Sequence, residues 1–260
     1  MRILCIGDVV SRIGRNMLFQ YVDELKYQKS IDLVIANGEN ATHGRGLARN
    51  AYNEIMRSGV DGITLGNHTW GAKDVIDIMK YEGNVIRPAN FSKACPGKGS
   101  MILKSKSGIS VGIINLIGRT YMEPCDSPFD AVLSEIDELK KHTNIILVDF
   151  HAEATSEKQS MGRFLDGKVS AVFGTHTHVQ TADETIFKNG TGFICDLGMT
   201  GPIESILGMS QKIIIDRFLT SMPQKFEIAE GKGQFCGCIF EIDEKTGKCI
   251  NVERIFIREK

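Results

Sequence analysis

Short apolar runs rich in β-branched residues alternate with segments of helical period along most of this chain, and this alternation strongly restricts its fold. The runs at 2–6, 31–36 and 62–65 are typical of strands. The intervening segments at 18–25 and 50–57 repeat apolar residues at helical spacing. Strands joined by crossover helices form a largely parallel sheet. The pattern therefore predicts an α/β protein.

Strand-like runs also occur later in the chain. Those at 100–104 and 109–116 are joined by the turn-prone sequence 105–108, which predicts a hairpin and therefore an antiparallel pair. No Pro-rich or Ser-rich linker divides the chain. We therefore expect one domain spanning residues 1–260, built as a layered sandwich of two mixed β-sheets flanked by helices. Further helices are predicted at 73–81, 131–141 and 157–165, and further strands at 144–150, 169–173, 192–195, 226–229, 235–242 and 249–257.

The charge balance restricts the partners that the chain can hold. Lys and Arg number 31 against 32 Asp and Glu, a formal net charge of -1, so no overall basic field is available for a long nucleic acid or an acidic membrane. No apolar run approaches the roughly 18 residues of a membrane-spanning helix. We expect a cytoplasmic protein that binds a small ligand. The number of subunits stays open, and a homo-oligomer is one of the possibilities.

The cysteines agree with this expectation. All 7 are scattered through apolar stretches, without the paired spacing of a zinc site. The first strand is followed by Asp8 and not by the small residues of a secretory cleavage site. These features favour buried free thiols in a reducing cytoplasm.

Residue types that bind metals recur directly after the predicted strands. Taken alone, each has an ordinary interpretation as a turn former, a helix cap or a surface residue. Ligands bind outside the carboxyl ends of the strands in an open α/β sheet, so side chains from distant parts of the chain can meet there. An extended backbone at 176–178 would place both imidazoles of that segment on one side. Together the pattern predicts a metal site among Asp8, Glu39, Asn40, Asn67, His68, His151, His176 and His178, whereas His43 and His142 are interpreted as ordinary loop and helix-end residues.

The ligand types restrict the metal. Imidazole, carboxylate and amide oxygen without thiolate suit Mn, Fe or Zn better than Mg, and they argue against a structural zinc site. Six or seven side chains are too many for one ion. A carboxylate able to bridge fits two ions about 3.5–4 Å apart, an arrangement suited to in-line displacement at phosphorus. Walker A, dinucleotide-binding and serine-hydrolase motifs are absent.

Five short motifs contain these residues, in the order Asp8-Val9-Val10, Gly38-Glu39-Asn40, Gly66-Asn67-His68, His151 and Gly174-Thr175-His176-Thr177-His178. Their order is similar to that of the calcineurin-like metallophosphoesterase superfamily. Val10 stands where that superfamily has a histidine, Glu39 where it has the bridging aspartate, and Thr175 is inserted before the last histidine pair. In these departures the chain resembles the YmdB-like bacterial cyclic-nucleotide phosphodiesterases.

The resemblance implies a metal-dependent hydrolase of a small phosphodiester, with a 2',3'- or 3',5'-cyclic nucleotide as substrate. It implies that Glu39 bridges two divalent ions, for which the ligand types favour Fe or Mn over Zn. His68, beside the expected ligand Asn67 but not itself a ligand, is positioned to be the general acid. Asn40 would replace the histidine that is missing at Val10. One ion would be held by Asp8, Glu39, Asn40 and His178, and the other by Glu39, Asn67, His151 and His176.

Two other functions stay open on the same metal site. One is a phosphomonoesterase, such as a nucleotidase or a protein phosphatase, because the same metal pair cleaves monoesters. The other is a sensor that binds a nucleotide and signals by conformation, with little turnover. The apolar region 197–207 is open between a substrate-side loop, a subunit contact and core packing. Arg119 and Arg163 are open between phosphate binding and a solvated surface role.

Overall fold

Two mixed β-sheets lie face to face at the centre of the protein. The computed structural model describes residues 1–260 and contains six helices and fourteen strands. The first sheet consists of β1 (Arg2–Ile6), β2 (Asp8–Val9), β3 (Leu33–Asn37), β4 (Gly62–Thr64), β5 (Val85–Ile86), β12 (Met199–Pro202), β13 (Gly233–Ile242) and β14 (Cys249–Arg258). The second consists of β6 (Ser100–Lys104), β7 (Ser110–Ile117), β8 (Ile146–His151), β9 (Ala171–Thr175), β10 (Thr185–Ile186) and β11 (Gly192–Ile194). The helices are α1 (Ser11–Gln28), α2 (Arg49–Arg57), α3 (Val75–Tyr81), α4 (Pro128–Leu139), α5 (Thr155–Phe164) and α6 (Gln211–Thr220).

Both sheets combine parallel and antiparallel pairs. In the first sheet β1, β3, β4 and β5 are parallel neighbours, and β13 pairs antiparallel with β1 on one side and with β14 on the other. In the second sheet the parallel strands β7, β8, β9 and β11 lie between the antiparallel edge strands β6 and β10. The predicted hairpin is confirmed, with Ser100 opposite Ile114 and Lys104 opposite Ser110.

Three apolar layers hold these elements together. In β1, Ile3 and Cys5 point into the layer between the sheets, whereas Leu4 and Ile6 point into the layer that α1, α2 and α3 cover. A third layer lies between the second sheet and helices α4 and α5. Each fully buried Leu, Ile or Val contributes roughly 1.5–3 kcal/mol relative to an exposed one. Because the central strands bury both faces, the helices must cover the outer side of each sheet, as the predicted sandwich requires.

This packing brings the carboxyl ends of strands from both sheets to one rim. Asp8 lies two residues after β1 in the first sheet, and His176 lies directly after β9 in the second. The backbone N–H of His176 donates to Oδ2 of Asp8 at 3.0 Å, across 168 positions of the chain. Residues that follow strands of either sheet can therefore contribute to one site.

The last third of the chain differs from the prediction at several places, including the short strands β10 and β12, which were not predicted. Residues 226–229 form no strand, and Ile228 makes only an isolated bridge to Met209. Phe226 is 44% exposed, so its alternation with Ile228 does not reflect burial against a sheet. Helix α6 lies where no element is predicted, and Ile214 is its one buried residue. None of the six helices has the length and apolar character that a membrane crossing requires.

Candidate metal centre

All eight predicted site residues lie together at the shared rim of the two sheets. Each lies at or shortly after the carboxyl end of a strand, with His151 as the last residue of β8 and Asp8 two residues after β1. His43 and His142 are exposed and lie outside this group. Asp8, Glu39, Asn40 and His151 are at most 2% exposed, and Asn67, His68, His176 and His178 are half-buried.

Glu39 lies at the centre of the group. Its Oε1 is 3.1 Å from Nε2 of His151, and its Oε2 accepts the backbone N–H of His68 at 2.8 Å. Nε2 of His151 also lies 3.1 Å from Nδ1 of His176 and 2.8 Å from Oδ1 of Asn67. Ligand atoms of Glu39, His151 and His176 all lie within 4.8 Å of one another, close enough for one metal ion.

Asp8 lies at a second group of donor atoms beside the first. Its Oδ1 is buried and has no hydrogen-bond partner. Leaving such an oxygen without a partner costs about 1–3 kcal/mol, and more for a charged group. Nε2 of His178 is 3.7 Å from this oxygen and 3.2 Å from Nδ2 of Asn40. An orphaned carboxylate oxygen facing an imidazole nitrogen fits a bound cation.

One ring nitrogen of His151, of His176 and of His178 contacts a residue outside the group of eight. Nδ1 of His151 lies 2.9 Å from the hydroxyl of Thr175, Nε2 of His176 lies 3.1 Å from Glu153, and Nδ1 of His178 lies 3.1 Å from the carbonyl oxygen of Leu207. A ring nitrogen that donates outward leaves the lone pair of the other nitrogen directed inward, as in carboxylate–histidine–metal arrangements. The donor set therefore fits a metal centre. Sequence reasoning assigned no role to Glu153, and it noted Thr175 only as an insertion before the last histidine pair.

The carboxylate of Glu39 favours a positive charge at Nε2 of His151. Burial alone would raise the pKa of Glu39, but the charge and hydrogen bond of His151 outweigh it and lower the pKa to about 2. Burial alone would lower the pKa of His151, but Glu39 raises it to about 9. Burial and the charge of His151 lower the pKa of His176 to about 3. At neutral pH Glu39 is thus a carboxylate and His176 a neutral imidazole, the forms that bind metals.

The segment 176–178 is not extended, so that part of the prediction is wrong. His176 has φ 98° and His178 has φ 65°, both in the left-handed region. A non-glycine residue in this region costs about 1–2 kcal/mol. Both imidazoles reach the centre through these two turns of the backbone and not by alternation along a strand.

A buried polar network supports His151 from behind. The hydroxyl of Thr175 donates to Oδ1 of Asp149 at 2.7 Å, so it accepts from Nδ1 of His151. Asp149 also accepts from Thr64 and from Nδ2 of Asn37. Burial raises the pKa of Asp149 to about 6, against its hydrogen bonds and the charge of His151. An ionisable residue inside the apolar run of β8 is the sequence signal that could have pointed to this network.

Asn40 faces several neighbours of the centre at once. Its Oδ1 lies 2.7 Å from Nδ1 of His68, and its Nδ2 lies 3.3 Å from Oε1 of Glu39 and 3.2 Å from Nε2 of His178. The amide oxygen, the atom expected to bind a metal, thus points to His68. A half-turn of the amide would exchange the two atoms with little change in shape.

Residues 4–255 match the family described as YmdB-like protein. The chain belongs to the YmdB-like family. It is 49% identical over 259 residues to a 2',3'-cyclic-nucleotide 2'-phosphodiesterase of Bacillus subtilis (strain 168), covering 100% of this chain and 98% of the relative. The resemblance seen in the motifs is therefore confirmed, and the family implies divalent metal ions.

Two solved structures match this YmdB-like chain over nearly their whole length. A hypothetical protein from Thermus thermophilus has a TM-score of 0.94 and 39% identity, with 100% of both chains covered. A novel phosphatase from Mycoplasma pneumoniae has a TM-score of 0.93 and 36% identity, covering 99% of this chain and 93% of that chain. These likenesses agree with the predicted fold class.

Arg119 and Arg163 lie at the surface, and region 197–207 contributes both to the first sheet and to the surroundings of His178. Arg163 stacks on the ring of Phe187, 4.2 Å from its centroid, and Arg119 is exposed. In the 197–207 region, Met199–Pro202 forms the buried strand β12, which packs in the first sheet, and the carbonyl oxygen of Leu207 accepts from His178. All seven cysteines are free, as predicted.

Proposed function

We propose that this protein is a metal-dependent phosphodiesterase that hydrolyses a small cyclic nucleotide, with a 2',3'-cyclic nucleotide as the first candidate. The observation that carries the proposal is the inward orientation of three imidazoles towards two buried carboxylates, Glu39 and Asp8. The relative of Bacillus subtilis, whose name gives a 2',3'-cyclic nucleotide as its substrate, supports the choice of substrate.

Two half-sites would share Glu39. The oxygen-rich half, with Asp8 and Asn40, favours Fe or Mn over Zn. When bound, divalent ions make an attacking water more acidic and offset negative charge on the phosphate. The proposed ligands are Asp8, Glu39, Asn40 and His178 for one ion, and Glu39, Asn67, His151 and His176 for the other.

His68 is proposed as the general acid. Its side chain is 31% exposed, whereas its backbone N–H is anchored on Oε2 of Glu39. Burial lowers the pKa of His68, against the charge of Glu39, which makes the protonated ring a stronger acid. Oδ1 of Asn40, 2.7 Å from Nδ1 of His68, can accept from that nitrogen and keeps a second lone pair for a metal ion. The imidazolium of His68 would then pass the proton on Nε2 to the leaving oxygen and end as a neutral imidazole.

Opening of the cyclic phosphate can give two products, and the name of the relative favours one of them. Cleavage of a 2',3'-cyclic phosphate breaks the bond from phosphorus either to O2' or to O3'. The relative is named a 2'-phosphodiesterase, so we propose that O2' leaves, that His68 protonates it, and that a nucleoside 3'-phosphate results.

The test is hydrolysis of 2',3'-cyclic AMP by purified protein loaded with Mn²⁺ or Fe²⁺, with separation of the two nucleotide products by chromatography. We expect the 3'-phosphate, and we expect no turnover in Glu39→Gln, which loses the shared carboxylate charge. His142→Gln, on an exposed histidine outside the site, is the matched control.

Other substrates separate the remaining functions. Turnover of 3',5'-cyclic AMP at a comparable rate would widen the substrate class. Turnover of a nucleoside monophosphate without any diester turnover would replace the proposal with a phosphomonoesterase. Tight nucleotide binding with no product over hours would replace it with a sensing function.

A further inference from the structure

The segment that carries His176 and His178 is held on two sides. On the side of the centre, the backbone N–H of His176 donates to Oδ2 of Asp8 at 3.0 Å. On the opposite side, the backbone N–H and the hydroxyl of Thr177 donate to Oδ2 of Asp196 at 3.1 and 2.7 Å. The left-handed φ angles at the residues before and after Thr177 need such restraint, because nothing in their own conformational preference maintains them.

Both carboxylate oxygens of Asp196 have hydrogen-bond partners. It is 1% exposed, and its Oδ1 accepts the backbone N–H of Gly198 at 2.7 Å. Nζ of Lys158, on α5, donates to its Oδ2 at 2.6 Å. Because both of its oxygens have partners, Asp196 differs from Asp8, whose Oδ1 has none. A carboxylate close to the proposed ions is thus neutralised within the protein.

The Lys158 side chain is buried and tightly packed along its length up to Asp196. Lys158 is 2% exposed, and its ammonium makes no hydrogen bond except the one to Asp196. A Cβ at Gly174 would lie 2.9 Å from Cδ of Lys158 and 1.9 Å from the carbonyl oxygen of Cys195. Glycine is therefore required where β9 leads into the histidine segment. Replacing a buried ion pair with apolar side chains is often neutral for stability, so stability alone does not account for this pair.

We propose that Thr177 and Asp196, with Lys158 as counter-charge, are positioning residues for the metal centre. They hold the backbone of 176–178 so that one imidazole reaches each proposed half-site. The inference rests on the proposed metal centre, and it assigns a role to three residues that bind neither metal nor substrate.

Thr177 offers the mildest test. Thr177→Val removes the hydroxyl at nearly constant shape and leaves Asp196 its bonds from Lys158 and from the backbone of residue 177. Thr177→Ser keeps the hydroxyl and is the rescue variant. Thr143→Val, which removes a hydroxyl bonded to the carbonyl oxygen of Ser110 far from the centre, is the matched control. Asp196→Asn is unsuited as the main test because it leaves Lys158 buried without its carboxylate.

The measurements are Mn²⁺ affinity by calorimetry and the visible absorption of the Co²⁺-substituted protein, which reports ligand geometry. We expect Thr177→Val to bind Mn²⁺ about 10–100-fold more weakly. We expect an altered Co²⁺ spectrum in the same variant, and wild-type behaviour in Thr177→Ser and Thr143→Val. With substrate, kcat should fall in Thr177→Val while KM changes little.

Each result decides the inference. Wild-type affinity and spectrum in Thr177→Val would overturn it, even if that variant unfolds at a lower temperature, since a purely structural role predicts only the latter. Absence of Mn²⁺ binding by the wild-type protein would overturn it together with the metal centre. Wild-type protein that binds Mn²⁺ but cleaves no cyclic nucleotide would refute the proposed function alone, and the affinities would still test the positioning role.

Discussion

Replacing Thr175 with valine should destabilise the protein and weaken metal binding together. The hydroxyl accepts from Nδ1 of His151 at 2.9 Å and donates to Oδ1 of Asp149 at 2.7 Å, and all three residues are 0% exposed. An unsatisfied buried donor or acceptor costs about 1–3 kcal/mol, so two of them cost about 2–6 kcal/mol. Because Thr64 and Asn37 still donate to the other oxygen of Asp149, we expect about 2–4 kcal/mol.

The measurement is the free energy of unfolding from urea titration of Thr175→Val, with Thr175→Ser as the control that retains the hydroxyl. Mn²⁺ affinity should fall about 10–100-fold in the valine variant, because the outward hydrogen bond orients the ring of His151. A loss of stability below about 0.5 kcal/mol, the range of surface substitutions, would refute the reasoning. Equal losses in the serine and valine variants would refute it as well.

Three further predictions follow from the site and the core. His68→Ala should lower kcat for a cyclic nucleotide by about 10²–10⁴-fold, while metal analysis shows an unchanged Mn²⁺ content. Near-normal turnover of a substrate with a poor leaving group would contradict the general-acid role. Gly66→Ala would place Cβ 2.4 Å from Nε2 of His151, so Mn²⁺ affinity measured by calorimetry should drop; an unchanged affinity would mean that the ring moves freely. Five of the seven thiols are buried, and burial raises the pKa of Cys125. A thiol reagent added to the native protein should therefore modify Cys95 quickly, Cys125 slowly and the other five not at all. Rapid reaction of more than two thiols would contradict the packing.

Most of the fold follows from local periodicity. The apolar run of β1 and the helical spacing in α1 each indicate the correct element, because burial on a sheet face or a helix face leaves a repeat in the sequence. Where a segment is not buried, a repeat of apolar residues predicts the wrong element. Residues 226–229 alternate like a strand but form none. Helix α6 contains three consecutive isoleucines, which are typical of a strand, and only Ile214 is buried.

Residue type and position near a strand end, which are local properties, selected eight residues that the structure brings together at one rim. The sequence could not show how each imidazole is turned. That depends on acceptors such as Glu153 and the carbonyl oxygen of Leu207, which packing brings to His176 and His178. It also depends on φ angles that the local sequence does not favour.

The sequence by itself therefore determined the α/β class, the two mixed sheets, the family and the kinds of atoms available at the rim. Tertiary structure alone decided the pairing of Asp8 with His176 across 168 positions and the restraint of 176–178 by Asp196. The physical reason is that periodicity records which face of an element is buried. Contacts between elements distant in sequence arise only when both sheets close on a common core.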